Sequence, residues 1–434
     1  MKPAHFLVRC CTTLIVAVVA TSFSLVAQTE STLHRFTSGS DGDNPLAGLV
    51  ADSAGNLYGA ASDYSGGGGG TIFEMSPPAS GGAWTFTTLY TLNGTTDGAT
   101  PWASLLRDSV GNLYGTTTAS GAGCGTVFEL SPPSVAGGAW TFSVLYSFVG
   151  GSDGCFSAAA LIMDATGNLY GTSENGGINN NGTVFEVSPP SVAGGAWTEA
   201  VLYRFTSHNN DGRVPAAAVT FGQHGRLYGT TFYGGANNGN GTVFALQPPA
   251  VSGGAWTEHI LYTFPGGTLG SNPGSSVVFD SKGNLYGTAA DSVENNYCGG
   301  VLPCGRVYEL SPPAVNGNPW TYSLLWAFTG GSDGANPYAP VTFDKKGNLY
   351  GTTAFGGVGG GTVYELSPPA VPGNPWTETT LHQFTFGLGG TRSWGDVIFG
   401  KNGRLYGTTF TDGIMRCSTN FGDGGCGTVF ALTP

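Results

Sequence analysis

Apolar residues come in short runs along this chain, each closed by Gly, Pro, Asn or Asp. In one stretch the runs fall at residues 103–107, 112–117, 126–131 and 140–148, the last opening on Trp140. Runs this short, bounded by turn formers and without a 3.6-residue period between them, predict antiparallel β-strands. We label them A to D. The turn from A to B reads D-x-x-G-[NR]-L-Y-G, with Gly222 and Gly400 in place of the leading Asp in two copies. Its tyrosine recurs at Tyr58, Tyr114, Tyr170, Tyr228, Tyr286, Tyr350 and Tyr406, at spacings of 56, 56, 58, 58, 64 and 56 residues. Seven four-stranded units predict an all-β chain folded as a seven-bladed β-propeller over residues 28–434.

The chain ends carry a second sign of the ring. After the last strand C (427–433) no Trp-led strand D follows, while residues 31–37 hold a lone D-like strand: Leu33, His34, Arg35 and Phe36 match Leu381, His382, Gln383 and Phe384. Pairing 31–37 with 427–433 would complete the last blade and hide two sheet edges that a solenoid would leave open.

Strand A lines the central channel of a propeller. Five residues before each A–B turn stand Ala47, Ala103, Ala159, Ala217, Ser275, Ala339 and Gly395, small enough for seven strands to converge. One position earlier, at the channel mouth, the copies diverge to Leu46, Trp102, Ala158, Ala216, Gly274, Tyr338 and Trp394. Blades six, seven, one and two are consecutive in a closed ring, so Tyr338, Trp394, Leu46 and Trp102 are expected to form one apolar arc beside Asp396. Such an arc suits stacking on a sugar or holding an apolar ligand; alternatively the rings cover the top of the core.

Composition agrees with the strand reading: 74 of the 434 residues are Gly, against roughly 7% in an average protein. Lys and Arg number 15 against 27 Asp and Glu, and a net charge of -12 argues against a nucleic-acid partner. Residues 1–27 place Lys2 and Arg9 before an uncharged run ending at Ala27, the layout of a secretory signal peptide, with a retained anchor as the alternative. Cleavage would leave 13 basic against 27 acidic residues and no second apolar span. The expectation is a monomer with no membrane contact, secreted or extracellular, with the periplasm as the other destination.

The motifs GNLYGTT and GTVFELSPP, followed by a Trp-led strand, resemble the GloVer tandem repeat of exported bacterial proteins with varied C-terminal anchors. The resemblance covers residues 31–434 and implies export; with no anchor after Pro434 it implies secretion, and it brings no activity with it. The D-x-x-G-N-L-Y turn also resembles blades of lactonase and NHL-type propellers, a local hairpin likeness that transfers no catalytic residue.

Six cysteines follow the signal segment: Cys124, Cys155, Cys298, Cys304, Cys417 and Cys426. They lack the C-x2-C pairs of zinc sites, and an even number in an exported chain reads as disulfides. From the motif Tyr to strand C the connection is 12 to 14 residues in five units, but 20 from Tyr286 to Arg306 and 22 from Tyr406 to Thr428. Those insertions hold Cys298 with Cys304 and Cys417 with Cys426, each expected to staple its own loop, which leaves Cys124 with Cys155. The recurring Asp52, Asp108, Asp164, Asp280 and Asp344 are expected to cap turns rather than ring a ligand. Asp41, Asp43 and Asn44 could offer oxygens to Ca2+ but lack a D-x-D-x-D-G loop, so no metal site is assigned. His34, His208, His224, His259 and His382 fall on unrelated surfaces, without a G-x-S-x-G elbow. The reading is a non-catalytic propeller that binds a carbohydrate or a protein. The alternative is a lyase, lactonase or glycosidase using Asp396, Glu174 and Asp291.

Overall fold

A computed structural model describes residues 29–434 apart from 64–67, 136, 193, 237–238, 252, 292–303, 316, 388, 413–416 and 418–424. The expected signal peptide and Cys298 lie outside the described residues. Seven four-stranded antiparallel sheets follow one another around a ring. Blade two, for example, runs Leu106–Arg107, Leu113–Thr116, Thr126–Ser131 and Thr141–Ser147. Blade seven takes Ile398–Phe399, Leu405–Thr409 and Thr428–Leu432 from one end of the chain and Glu30–Arg35 from the other, which pairs antiparallel to Thr428–Leu432. No α-helix occurs among the described residues.

Strand A is shorter than its sequence run. Only two residues per blade join the ladder, as Leu106–Arg107 does against Tyr114 and Leu113. The residues before them turn their hydrogen bonds toward the neighbouring blade. Thr116, Thr172, Thr230, Thr288, Thr352 and Thr408 of strands B donate their hydroxyls to the carbonyls of Ala159, Ala217, Ser275, Ala339, Gly395 and Ala47, 2.7 to 3.3 Å away, each in the next blade. Blade one has Ala60 at this place and makes no such latch to blade two.

The core lies between blades. Tyr58, Ala60 and Ile72 of blade one pack with Leu105, Leu113, Phe128 and Leu130 of blade two, and the equivalent cluster recurs around the ring. The Gly after each motif Tyr is set by that packing: a Cβ on Gly115 would stand 2.5 Å from Cζ of Phe128. Trp140 lies half-buried over Tyr58, ring centroids 6.3 Å apart, so the Trp leading strand D seals the outer edge onto the preceding blade.

The aspartates before the A–B turns are turn caps. Asp52 Oδ1 accepts the backbone N–H groups of Ala54, Gly55 and Asn56, while Oδ2 accepts from the Asn56 side chain and the Tyr58 hydroxyl. Where Gly222 replaces Asp, the Tyr228 ring moves into the space a Cβ would need. In that blade Arg226 replaces Asn and donates to Gln247, and in blade seven Arg404 donates to Ser31 Oγ at 2.9 Å. The linked changes at these positions thus exchange one local hydrogen-bond set for another.

Candidate site at the channel mouth

Each D–A loop reaches the channel through a residue in the left-handed region: Asn44, Thr100, Phe156, Val214, Asn272, Asn336 and Arg392 have φ from 52° to 62°. For Thr and Val this backbone is unfavourable. It persists because two blades hold it. The N–H of each donates to a carbonyl just before strand C of the preceding blade, as Phe156 does to Cys124 at 3.2 Å and Asn44 to Cys426 at 2.7 Å. Two residues further on, the chain delivers Leu46, Trp102, Tyr338 and Trp394 to the mouth.

These four residues line one cavity of about 370 Å3, together with Glu174, Asp396 and Phe232. Tyr338 and Trp394 are neighbours, ring centroids 5.9 Å apart. Trp394 is backed by Phe410, stacked at 5.0 Å, and Trp102 by Phe156, edge-on at 5.1 Å. All four mouth residues are half-buried, so each ring packs on one side and faces the cavity on the other.

The sequence reading missed Phe232. It follows strand B of blade four, in a column that reads Ser62, Thr118, Glu174, Phe232, Ala290, Ala354 and Phe410. Gly274 lets it close on the arc: a Cβ there would stand 3.1 Å from Phe232 and 3.7 Å from Tyr338. The arc therefore extends from blade four through blade seven to blade two. Glu174 of blade three stands in its gap.

Asp396 lies one layer deeper. Its Oδ1 fills the space over Gly48 of the next blade, where a Cβ would also stand 3.2 Å from Ser104 Oγ. Asp396 is half-buried in the channel wall, and desolvation there pushes its carboxyl up to about 6 against one hydrogen bond from its own backbone. Burial alone pushes Glu174 up to about 7. The third carboxylate does not join them. Asp291 pairs with the buried Arg306, Nε to Oδ2 2.9 Å, and that guanidinium also donates to the Thr268 carbonyl at 2.7 Å.

The carboxylates considered for Ca2+ are engaged in the loop itself, while Asn44 turns its amide nitrogen to blade seven and leaves its buried Oδ1 without a partner among the described residues. Asp41 accepts from Thr37 N, Thr37 Oγ1 and Gly39 N, Asp43 from Ser38, and Asn44 Nδ2 donates to the Phe410 carbonyl at 2.8 Å. Among the described residues no three His, Cys, Asp or Glu side chains gather as metal ligands.

The family model described as Gloeobacter/Verrucomicrobia repeat matches residues 18–238 and 134–302, well over half of the chain. The chain belongs to the Gloeobacter/Verrucomicrobia repeat family. No curated protein matches this family member. Among solved structures it is similar to a luciferin-regenerating enzyme, at 13% identity and TM-score 0.42, covering 94% of this chain and 95% of that one. It is similar to PorZ, a surface component of the type-IX secretion system of Porphyromonas gingivalis, at 14% identity and TM-score 0.44, over 81% of this chain and 43% of PorZ. A gluconolactonase from Xanthomonas campestris aligns at 14% identity and TM-score 0.39, over 73% and 85% of the two chains. Likeness at these levels says nothing of chemistry in the Gloeobacter/Verrucomicrobia repeat protein.

The ring also buries carboxyls on its outer side, and they set its pH response. Burial and the nearby Asp211 push Glu258 up to about 8, with Tyr203 Oη donating to it at 3.1 Å; burial and Asp153 push Glu199 up to about 7. With Glu174 and Asp396, these groups bind protons more tightly folded than unfolded, so their contribution is full below about pH 4 and is lost as pH rises through 6 to 8. Hydrogen bonds to Asp41, Asp52 and Asp164 outweigh burial and hold those carboxyls low, so their contribution is lost in acid instead. Thermal melting is expected to peak near pH 5 and to fall by about 5 °C by pH 8. The Glu258→Gln variant should fall less; a melting temperature that rises from pH 5 to pH 8 would contradict this assignment.

Proposed function

We propose that this protein is a secreted, non-catalytic binding propeller that receives its ligand at the channel mouth. The observation that carries the reading is the aromatic arc around a cavity of about 370 Å3, within the size range of small-molecule sites. Ring faces held open by backing aromatics offer stacking area at little entropic cost, which suits a carbohydrate better than a protein segment. Export accords with the disulfides, which persist in oxidising compartments.

A glycan and metabolite screen of the protein tests this. Replacing Trp102→Ala together with Trp394→Ala is expected to weaken the ligand found by about 100-fold or more, while the ring stays folded. Binding that survives both changes would move the site elsewhere, and loss of folding in their place would assign the rings to the core.

Glu174 and Asp396 support one rival. Carboxyls that exchange protons near neutrality in a cavity are what a lyase, lactonase or glycosidase needs. They stand three blades apart in the ring, and Asp291 is spent on Arg306. Turnover of a lactone or glycoside that Glu174→Gln or Asp396→Asn abolishes would favour the enzyme.

A further inference from the structure

We infer that the ligand of the channel mouth carries a positively charged amine, held at one of the two carboxyls of the mouth, Asp396 beside Trp394 or Glu174 across the channel, while the aromatic arc encloses its apolar or sugar body. The inference rests on the binding reading above and narrows it to small organic ammonium ions, amino sugars among them.

The cavity lining supplies the first reason. Among the described residues it holds two carboxyls and no Lys, Arg or His. Its one other titratable group is the phenol of Tyr338, which burial keeps neutral. An anion entering would meet like charge in a desolvated space, and a neutral ligand would leave both carboxyls without a counter-charge.

The second reason is how these cavity carboxyls differ from those whose partners the fold supplies. Asp41 accepts from Thr37 and Gly39, Asp97 accepts from Asn93 N at 2.9 Å and Tyr90 Oη at 3.0 Å, and Asp291 holds Arg306. By contrast, no described residue donates to the Glu174 side chain, and Asp396 has only its own backbone N–H. Both are half-buried and line the cavity, so an ammonium in the channel can take the place that protein donors leave open.

Geometry makes the third. Trp394 of the arc and Asp396 beneath it are two residues apart on one extended segment, so a cation between them meets a ring and an acceptor together. Across Gly48, whose missing side chain makes the room, the Ser104 hydroxyl is a further acceptor. Aromatic faces attract ammonium groups through the ring quadrupole, more strongly the better the site is desolvated. A net charge of -12 draws cations toward the mouth.

Binding is then linked to protons. A cation favours the ionised carboxyls, which burial holds partly protonated near neutrality, so binding releases protons and tightens as pH rises from 5 to 8. Calorimetric titration of the whole protein can use four probes: choline, its neutral isostere 3,3-dimethylbutan-1-ol, glucosamine and glucose. Choline is expected to bind about tenfold or more tighter than the alcohol at pH 7.5, and glucosamine tighter than glucose. Choline affinity should fall about tenfold from pH 8 to pH 5, and the variant carrying both Glu174→Gln and Asp396→Asn should lose the charge preference and the pH dependence. Equal binding of each cation and its neutral counterpart, or a preference that survives the double variant, would overturn the amine. Glucose that binds as tightly as glucosamine and loses that binding with the Trp102 and Trp394 changes would overturn the amine while keeping the binding reading. No binding of any probe would also overturn it, and a blank glycan and metabolite screen would then remove the binding reading as well.

Discussion

Removal of residues 29–36 is expected to abolish cooperative folding of the ring. Strand Glu30–Arg35 supplies every cross-strand partner of one side of Thr428–Leu432, so its loss opens a sheet edge in the last blade. It also opens the core between blades seven and one. Phe36 has no exposed surface and packs against Phe73 at 5.4 Å and Phe86 at 5.7 Å, within a cluster that includes Leu49, Leu57, Val429 and Ala431. His34 stacks on Phe86 at 4.0 Å and so ties the same strand to the next blade. Phe36→Ala alone should cost about 3–5 kcal/mol, as burial of an aromatic ring in a dense core implies. The deletion should exceed that and yield aggregated or broadly melting protein by size-exclusion chromatography and circular dichroism. A deletion variant melting at the parent temperature would show that the ring closes by another route.

Loss of the Cys124–Cys155 disulfide is expected to have the next largest effect. It spans 31 residues and joins the residue pair before strand C of blade two to the D–A loop of blade three. A closed loop of that length corresponds to about 3–4 kcal/mol of unfolded-state entropy, or roughly an 8 °C lower melting temperature. The same bridge holds the mouth. Phe156, next to Cys155, donates its N–H to the Cys124 carbonyl and sets its ring against Trp102. Cys124→Ser with Cys155→Ser should therefore also weaken ligand binding, whereas opening Cys417–Cys426, a span of nine residues within one loop, should weaken it less, because the Cys426 carbonyl supports through Asn44 only Leu46 and no ring of the arc. Melting with and without reductant and a titration of each variant check both statements. Cys304 is disulfide-bonded too, and its expected partner Cys298 lies outside the described residues.

Much of the cavity lining was legible because the repeat acts as its own ruler. Seven copies of one turn place Leu46, Trp102, Tyr338 and Trp394 in a common column, and departure from the small-residue norm marks them as special. The same comparison applied after strand B would have found Phe232, one blade on from Glu174 in the same column. It was passed over because the B–C loops vary in length just beyond that point. Asp291 stands among the enzyme candidates in the sequence because the Arg306 that neutralises it lies across an insertion, where spacing gives no register.

The sequence by itself determined the strand identity, the blade number and the closing partner, because each depends on local periodicity, turn residues and counting. It also determined the local role of the turn aspartates, whose partners lie within six residues. Tertiary structure alone decided the length of strand A, since the carbonyls of Ala159 and its counterparts turn to threonines of another blade. It decided the left-handed backbone of Thr100 and Val214, which no local preference favours and two blades impose. And it decided which carboxyls line the cavity: the charge of Glu174 and Asp396 is a property of the chain, but their desolvation arises only when seven blades close around a channel.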